Sequence, residues 1–143
     1  MYKEVIISTI IIIAIIIGNI LTQNYTTEAV YNINQKLEEK KEKIIQVNES
    51  LEKKEISEEQ QEKEKEDLKS DINEIISKWK EKYKILAYYI EHDELEKVNT
   101  ELVSLKGNIE SKEYGQGISD LERCIFILEH IKDKFALKIK NIF

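Results

Sequence analysis

The chain has 143 residues with no proline, four glycines and one cysteine, and its formal net charge is -6. This length suits one modest domain, and the scarcity of proline and glycine disfavours loop-rich or all-β folds, which need turn residues. A single cysteine excludes an internal disulfide and a cysteine-cluster metal site. The acidic balance also argues against nucleic acid as a partner.

The first predicted element is an apolar helix. Residues 5–21 read VIISTIIIIAIIIGNIL, with ten isoleucines and no charged residue. As a helix this run rises roughly 25 Å, at the short end of what spans a bilayer. A buried core helix is disfavoured because the run is apolar on all sides. We therefore predict a transmembrane signal anchor over 5–22 and a cytoplasmic N-terminus over 1–4.

A cleaved signal peptide is the alternative interpretation of this segment, although the apolar run is long for one and no small-residue cleavage site follows it.

The orientation of the segment in the membrane can be predicted from the flanking charges. Lys3 and the α-amino group precede the run, and no basic residue follows it until Lys36. The positive-inside rule then predicts a single-pass protein of the cell membrane, with its N-terminus cytoplasmic and the bulk of the chain extracytoplasmic.

Residues 23–56 are predicted to form one long helix with a heptad pattern. Its apolar positions alternate spacings of three and four residues, which is typical of a helix seam. The seam consists of Val30, Ile33, Leu37, Lys40, Ile44, Val47 and Leu51. This pattern fits a coiled coil and, nearly as well, a plain amphipathic helix.

Residues 57–67 contain no apolar residue, so this stretch has little to bury. Ser57 followed by Gln60 is a capping-box pattern and predicts that a new helix starts here. We interpret 57–67 as the charged tip of a long helical hairpin or as a partly frayed segment.

Residues 68–143 are predicted to form a three- to four-helix antiparallel bundle with a C-terminal tail, which makes the fold class all-α. Asp93, with Glu96 three residues later, predicts the N-cap of the third helix. The segment SKEYGQG at 111–117 predicts the turn before the fourth helix. Phe126 widens the apolar surface of the fourth helix, so we expect this helix to lie at the centre of the bundle.

The run from Trp79 through ILAYYIEHDELEKV, the later ILEHI and the terminal LKIKNIF resemble an uncharacterised family, a domain of unknown function. Its members are short, N-terminally membrane-anchored helical proteins from spore-forming, mostly anaerobic bacteria, and they end in Asn-Ile-Phe. Relatives usually carry proline after the His-Ile pair, where this chain has Lys132. The family has no established activity, so the resemblance implies placement and partner binding, with a multi-pass membrane protein as a candidate partner.

The two histidines are the main candidates for chemistry. If the third and fourth helices pack antiparallel, then His92, Asp93 and His130 could converge with Glu129 at one end of the bundle. Two histidines and a carboxylate can bind zinc. The alternative is structural, with Asp93 as a cap and His130 at a helix C-terminus. We predict no catalytic residue and no cofactor.

We therefore predict an interaction or scaffold module for a membrane or envelope partner, which could be a multi-pass membrane protein or a second copy of the chain. The predicted partner-binding surface consists of Trp79, Tyr83, Tyr88, Tyr89, Ile142 and Phe143. The alternative function is an extracytoplasmic sensor of a small ligand, a metal or pH that works through a membrane partner.

Overall fold

The computed structural model describes residues 1–140, with side-chain surroundings for residues 1–136. Four helices make up almost all of it, which confirms the all-α class. In chain order they are α1 (Tyr2–Glu52), α2 (Glu58–Leu86), α3 (His92–Glu110) and α4 (Tyr114–Lys140).

Helix α1 is continuous over 51 residues and has two different surroundings along its length. Its first part is apolar and uncovered: Ile10 and Ile15 are 60% and 58% exposed. An 18-residue window there has a mean hydropathy of 2.7 and no buried residue. From Thr26 onward one face of the same helix is buried. A helix long and apolar enough to cross a membrane, or to serve as a signal sequence, thus continues unbroken into the folded domain.

The four helices form a ring in which α1 packs against α2 and α4, and α3 packs against the same two helices. Contacts across each boundary show that neighbours run antiparallel. Lys36 and Lys40 of α1 approach Glu74 and Asp71 of α2 at 3.4 and 3.3 Å. The register between α1 and α4 is set by two contacts, Asn34 to Glu129 at 2.7 Å and Lys41 to Glu122 at 2.9 Å.

The predicted seam of α1 lies in the core of this ring. Its buried members are Val30, Ile33, Leu37, Ile44 and Val47. Leu51 is half-buried, and the one polar seam residue, Lys40, pairs with Asp71 across the boundary with α2. Within the described residues the seam is covered by helices of the same chain, so α1 behaves here as an amphipathic helix of a bundle.

The charged stretch 57–67 belongs to α2. Ser57 is the N-cap residue, and its hydroxyl accepts a hydrogen bond from the Gln60 amide at 3.3 Å, which confirms the predicted helix start. The stretch is helical and continuous with the rest of α2. Glu62 approaches Lys112 at 3.0 Å, so the turn between α3 and α4 lies against this end of α2.

Two predicted helix boundaries were wrong. Helix α3 begins at His92 with Glu91 as N-cap, so Asp93 lies in its first turn, where a negative charge still favours the helix. The Glu96 carboxylate accepts from the Tyr83 hydroxyl at 2.8 Å and does not close a capping box. Helix α4 begins at Tyr114, so only the first three residues of SKEYGQG form the turn.

Helix α4 is one member of the ring and has no central position. Phe126 is 73% exposed on its outer side, which contradicts the expectation from the apolar width of this helix. The helix passes Lys132 without interruption and continues to Lys140, so the predicted tail is helical over most of its length. Ile142 and Phe143 lie outside the described residues.

Candidate functional site

The most distinctive cluster lies where the apolar part of α1 enters the bundle. The Thr26 hydroxyl donates to the Thr22 carbonyl at 2.8 Å, so this polar side chain is satisfied although it lies on the buried face of α1. The Tyr89 hydroxyl lies 3.1 Å from the Thr26 hydroxyl and 3.5 Å from the same carbonyl. The Tyr89 ring packs on Phe135 of α4, with centroids 5.2 Å apart. The α2–α3 turn is therefore held against both α1 and α4 directly after the apolar segment.

Burial raises the pKa of the Tyr89 phenol above its ordinary value. Because the phenol stays protonated, it can donate to either oxygen on α1 at physiological pH. The neighbouring ring of Tyr25 lies under the Lys82 ammonium, which is 5.3 Å from the ring centroid. This contact joins α1 to α2 at the same level, so aromatic rings on two helices surround the junction.

Tyr88 lies in the same turn but faces solvent, with 89% of its surface exposed, and Ile85 one turn earlier is 46% exposed. Because Tyr89 is fixed against Thr22 and Thr26, Tyr88 lies level with the end of the apolar segment. Tyrosine is enriched at the boundary between hydrocarbon and water, where its ring and hydroxyl meet different surroundings. Among the four predicted partner-binding residues that the structure describes, Tyr88 is the most exposed.

Trp79 lies in the core and lines no groove, whereas Tyr83 lines an open groove between α2 and α3. Trp79 is 1% exposed, and its indole N–H donates to the Asn99 side chain at 2.6 Å. The ring is part of the core between α2 and α3, so it does not line an open surface with Tyr88. Tyr83 is half-buried, and its bond to Glu96 lowers the pKa of that carboxyl and raises the pKa of the phenol.

The predicted His/carboxylate cluster is not formed. His92 Nδ1 lies 3.2 Å from the Tyr83 hydroxyl, on the α2 side of α3. Glu129 bonds to Asn34 and Lys132, on the α1 side of α4. Residues 129 and 130 point about 100° apart on the helix, so His130 cannot share the direction of Glu129. Among the described residues no group of three His, Cys, Asp or Glu side chains is arranged to hold a metal.

A buried carboxylate that the sequence analysis missed joins α3 to α4. Asp120 is fully buried and accepts from the side chains of Ser104 at 2.8 Å and Asn108 at 2.5 Å. Arg123, the one arginine of the chain, pairs with Asp120 and reaches Glu101 at 3.0 Å. The position of Asp120 within the apolar stripe of α4 was the signal that could have indicated it.

A second ionic connection between α3 and α4 lies toward the other end of these helices, between Lys134 and Glu94. Glu94 is approached by Lys134 at 3.2 Å and by Lys97 at 3.7 Å. The hydrogen bond from Lys134 lowers the pKa of Glu94 below its ordinary value.

Cys124 is fully buried, and burial raises the pKa of its thiol to about 12. A thiol with this pKa is a packing group, because thiolates are the reactive form.

Residues 24–142 match the model of a family described as a domain of unknown function, DUF4363. Since this match spans most of the chain, the protein belongs to that family. The matched region begins directly after the apolar segment and contains the whole described bundle. No curated protein and no solved structure matches the chain.

Proposed function

We propose that this protein is a membrane-anchored extracytoplasmic module that binds a membrane or envelope partner and performs no catalysis. The observation that carries the proposal is the continuity of α1 from an uncovered apolar segment into the core of the bundle. A bare apolar helix of this length exposes isoleucines that water disfavours, and a bilayer would cover them. The bundle would then stand on the membrane as a rigid extension of its own anchor.

The orientation of the proposal rests on charge. Lys3 and the amino terminus precede the apolar segment, and no basic residue follows it until Lys36, well inside the bundle. This asymmetry favours a cytoplasmic N-terminus and an extracytoplasmic bundle. The exposed Tyr88 and Ile85 would then lie near the lipid headgroups and give the bundle a second contact with the bilayer.

Anchoring gives such a module a physical advantage in binding. Confinement to a surface raises the effective concentration of any partner in the same membrane, so a modest contact area can suffice. The described part of the chain offers broad polar grooves and helix faces for such contacts. We therefore favour a scaffold or interaction role over a reaction site.

The test uses the full chain in its native membrane with a topology reporter fused to the C-terminus. We expect the chain to resist extraction with alkaline carbonate and the reporter to be active outside the cytoplasm. Chemical crosslinking in intact cells should then capture one membrane or envelope protein. The control joins residues 1–22 to an unrelated soluble domain, and capture of the same protein by this control would assign binding to the anchor. A cytoplasmic reporter signal or an extractable chain would contradict the proposal.

A further inference from the structure

We propose that the bundle carries a head-to-tail contact with a second copy of this chain, in which Phe126 of one copy enters the α2–α3 groove of the next. The groove has a volume of about 450 Å³, and its lining includes the apolar Ile76, Leu102 and Val103, the lysines Lys80 and Lys84 on α2, and the carboxylate of Glu96 on α3. Val103 is 65% exposed although it is apolar. This inference names the partner for the module and rests on the proposed membrane anchor.

The matching feature lies on α4. Phe126 is 73% exposed and is the large apolar residue on the outer side of this helix. Glu122 and Glu129 on either side of it point toward α1, and Arg123 points toward α3, so Phe126 projects away from the bundle. A single exposed aromatic ring is common, but here a groove of complementary character lies elsewhere on the same molecule.

The two features lie at the same level above the membrane. Contacts of Glu122 with Lys41 and of Glu129 with Asn34 place Phe126 level with Leu37 of α1. The bond from Trp79 to Asn99 places Val103 level with Ile75 of α2. The contact between Lys36 and Glu74 places Ile75 near residue 35 of α1. The difference of two residues corresponds to about 3 Å along the helix.

Charges near the two features also agree in order and spacing. Asp133 is exposed and lies two helical turns below Phe126, which is about 10 Å. Lys80 and Lys84 lie five and nine residues below the level of Val103, which is roughly 7 to 14 Å. Asp133 of one copy would therefore fall between these two lysines of the next copy. Glu96 of α3 lies at the same height, seven residues below Val103, but its carboxylate already accepts from Tyr83 and Asn99. Within the described residues neither Asp133 nor either of the two lysines takes part in an ion pair.

The ring order of the helices sets the kind of assembly that follows. Phe126 projects outward from α4, while the groove lies between α2 and α3 on another side of the ring, so the two features face different directions on one copy. Anchored copies all stand in the same orientation, which allows a contact between unlike surfaces at equal height. Such heterologous contacts produce rows or closed rings, whereas a two-fold dimer would pair identical surfaces.

The test crosslinks two differently tagged full-length chains in one native membrane, one with Val103→Cys and one with Phe126→Cys, under mild oxidation. We expect a mixed disulfide between the two tags and little disulfide between chains that carry the same substitution. Native Cys124 should form no disulfide, because it is buried and burial raises the pKa of its thiol to about 12. Two wild-type chains provide that control.

A second control pairs Val103→Cys with Glu38→Cys, an exposed position on α1 at nearly the level of Phe126. Equal crosslinking with this control would indicate random collision and overturn the proposal, as would same-site disulfides of equal yield. Extraction with alkaline carbonate tests the proposed anchor separately from the contact. A chain that alkaline carbonate extracts refutes both ideas, whereas a membrane-bound chain without the mixed disulfide refutes only the contact.

Charge reversal tests the register of the contact. Lys80→Glu on the groove chain should lower the yield of mixed disulfide about two- to fivefold, the effect expected for one exposed ion pair. Asp133→Lys on the Phe126→Cys chain should do the same, and the two reversals together should restore the yield. Single reversals without effect would overturn the proposed pairing of Asp133 with the α2 lysines.

Discussion

At the scale of single residues, Asp120 carries the largest expected energetic cost, because its carboxylate is fully buried. A buried charge is tolerated only when hydrogen bonds and an opposite charge compensate for the lost hydration. Ser104, Asn108 and Arg123 supply these interactions from two helices. Because all the partners point at one carboxylate, the network fixes how α3 and α4 are rotated against each other.

We predict that Asp120→Ala lowers the free energy of unfolding by about 3 kcal/mol, because it leaves the buried donors without an acceptor. The matched control is Asp67→Ala on the exposed side of α2, which should change it by no more than about 0.5 kcal/mol. Urea denaturation of the detergent-solubilised chain can be followed through Trp79, the one tryptophan, which is buried. Equal effects of the two substitutions would show that the network adds no stability.

The same residue shows a limit of sequence-based prediction. Periodicity identifies the apolar stripe of α4 but treats a polar residue within it as a gap, so Asp120 was missed. Its partners lie up to 16 residues away, and only the packing of two helices shows that they meet it. The histidine prediction failed for a different reason. Antiparallel packing brought α3 and α4 together as expected, but His92 points toward Tyr83 of α2 and Glu129 points toward Asn34 of α1.

At the scale of helices, α3 packs closely against α4 beside Gly117. A Cβ atom added at Gly117 would lie 3.4 Å from Ile109 Cδ1 and 3.5 Å from Leu105 Cδ1. An alanine would fit here in ordinary van der Waals contact, whereas a longer side chain would have to displace Ile109 and Leu105. Gly107, in contrast, has no neighbour within 4 Å of an added Cβ, although it also lies within a helix.

We therefore predict that Gly117→Leu and Gly107→Ala change stability in opposite directions. The first must push α3 and α4 apart and should cost about 1 to 3 kcal/mol, as overpacked cores do. The second should add about 0.5 to 1 kcal/mol, because alanine favours a helix more than glycine does. Urea denaturation of both variants gives the comparison, and a stable Gly117→Leu chain would contradict the tight packing described here.

The helices themselves were largely predictable because their signals are local. Spacings of three and four residues identified the buried face of α1, and Ser57 with Gln60 identified the start of α2. The start of α3 was misplaced by two residues, because the helix begins at His92 without a side-chain cap and the Glu96 carboxylate bonds to Tyr83 instead. The ring order was not predictable, since each amphipathic face shows only that it is buried and not which helix covers it.

At the scale of the whole molecule, α1 combines two roles that usually belong to separate segments. It supplies a full wall of the bundle and also the segment with the highest hydropathy in the chain. With no break between these parts, the fixed contacts of Tyr89 with Thr22 and Thr26 join the rest of the bundle to the end of the apolar run. Placement of the apolar run therefore determines the height and direction of every surface on the bundle.

This dependence gives a direct prediction for two residues that have nearly the same exposure in the structure but different proposed surroundings. Ile12 is 57% exposed in the apolar run, and Tyr31 is 60% exposed on the bundle. A membrane-impermeant maleimide added to intact cells should label Tyr31→Cys and leave Ile12→Cys unlabelled, even after permeabilisation, because a thiol in hydrocarbon stays protonated and unreachable. Denaturation in detergent should expose both. Equal labelling of the two would place the run in water, and loss of residue 12 from the mature chain would identify a cleaved signal peptide.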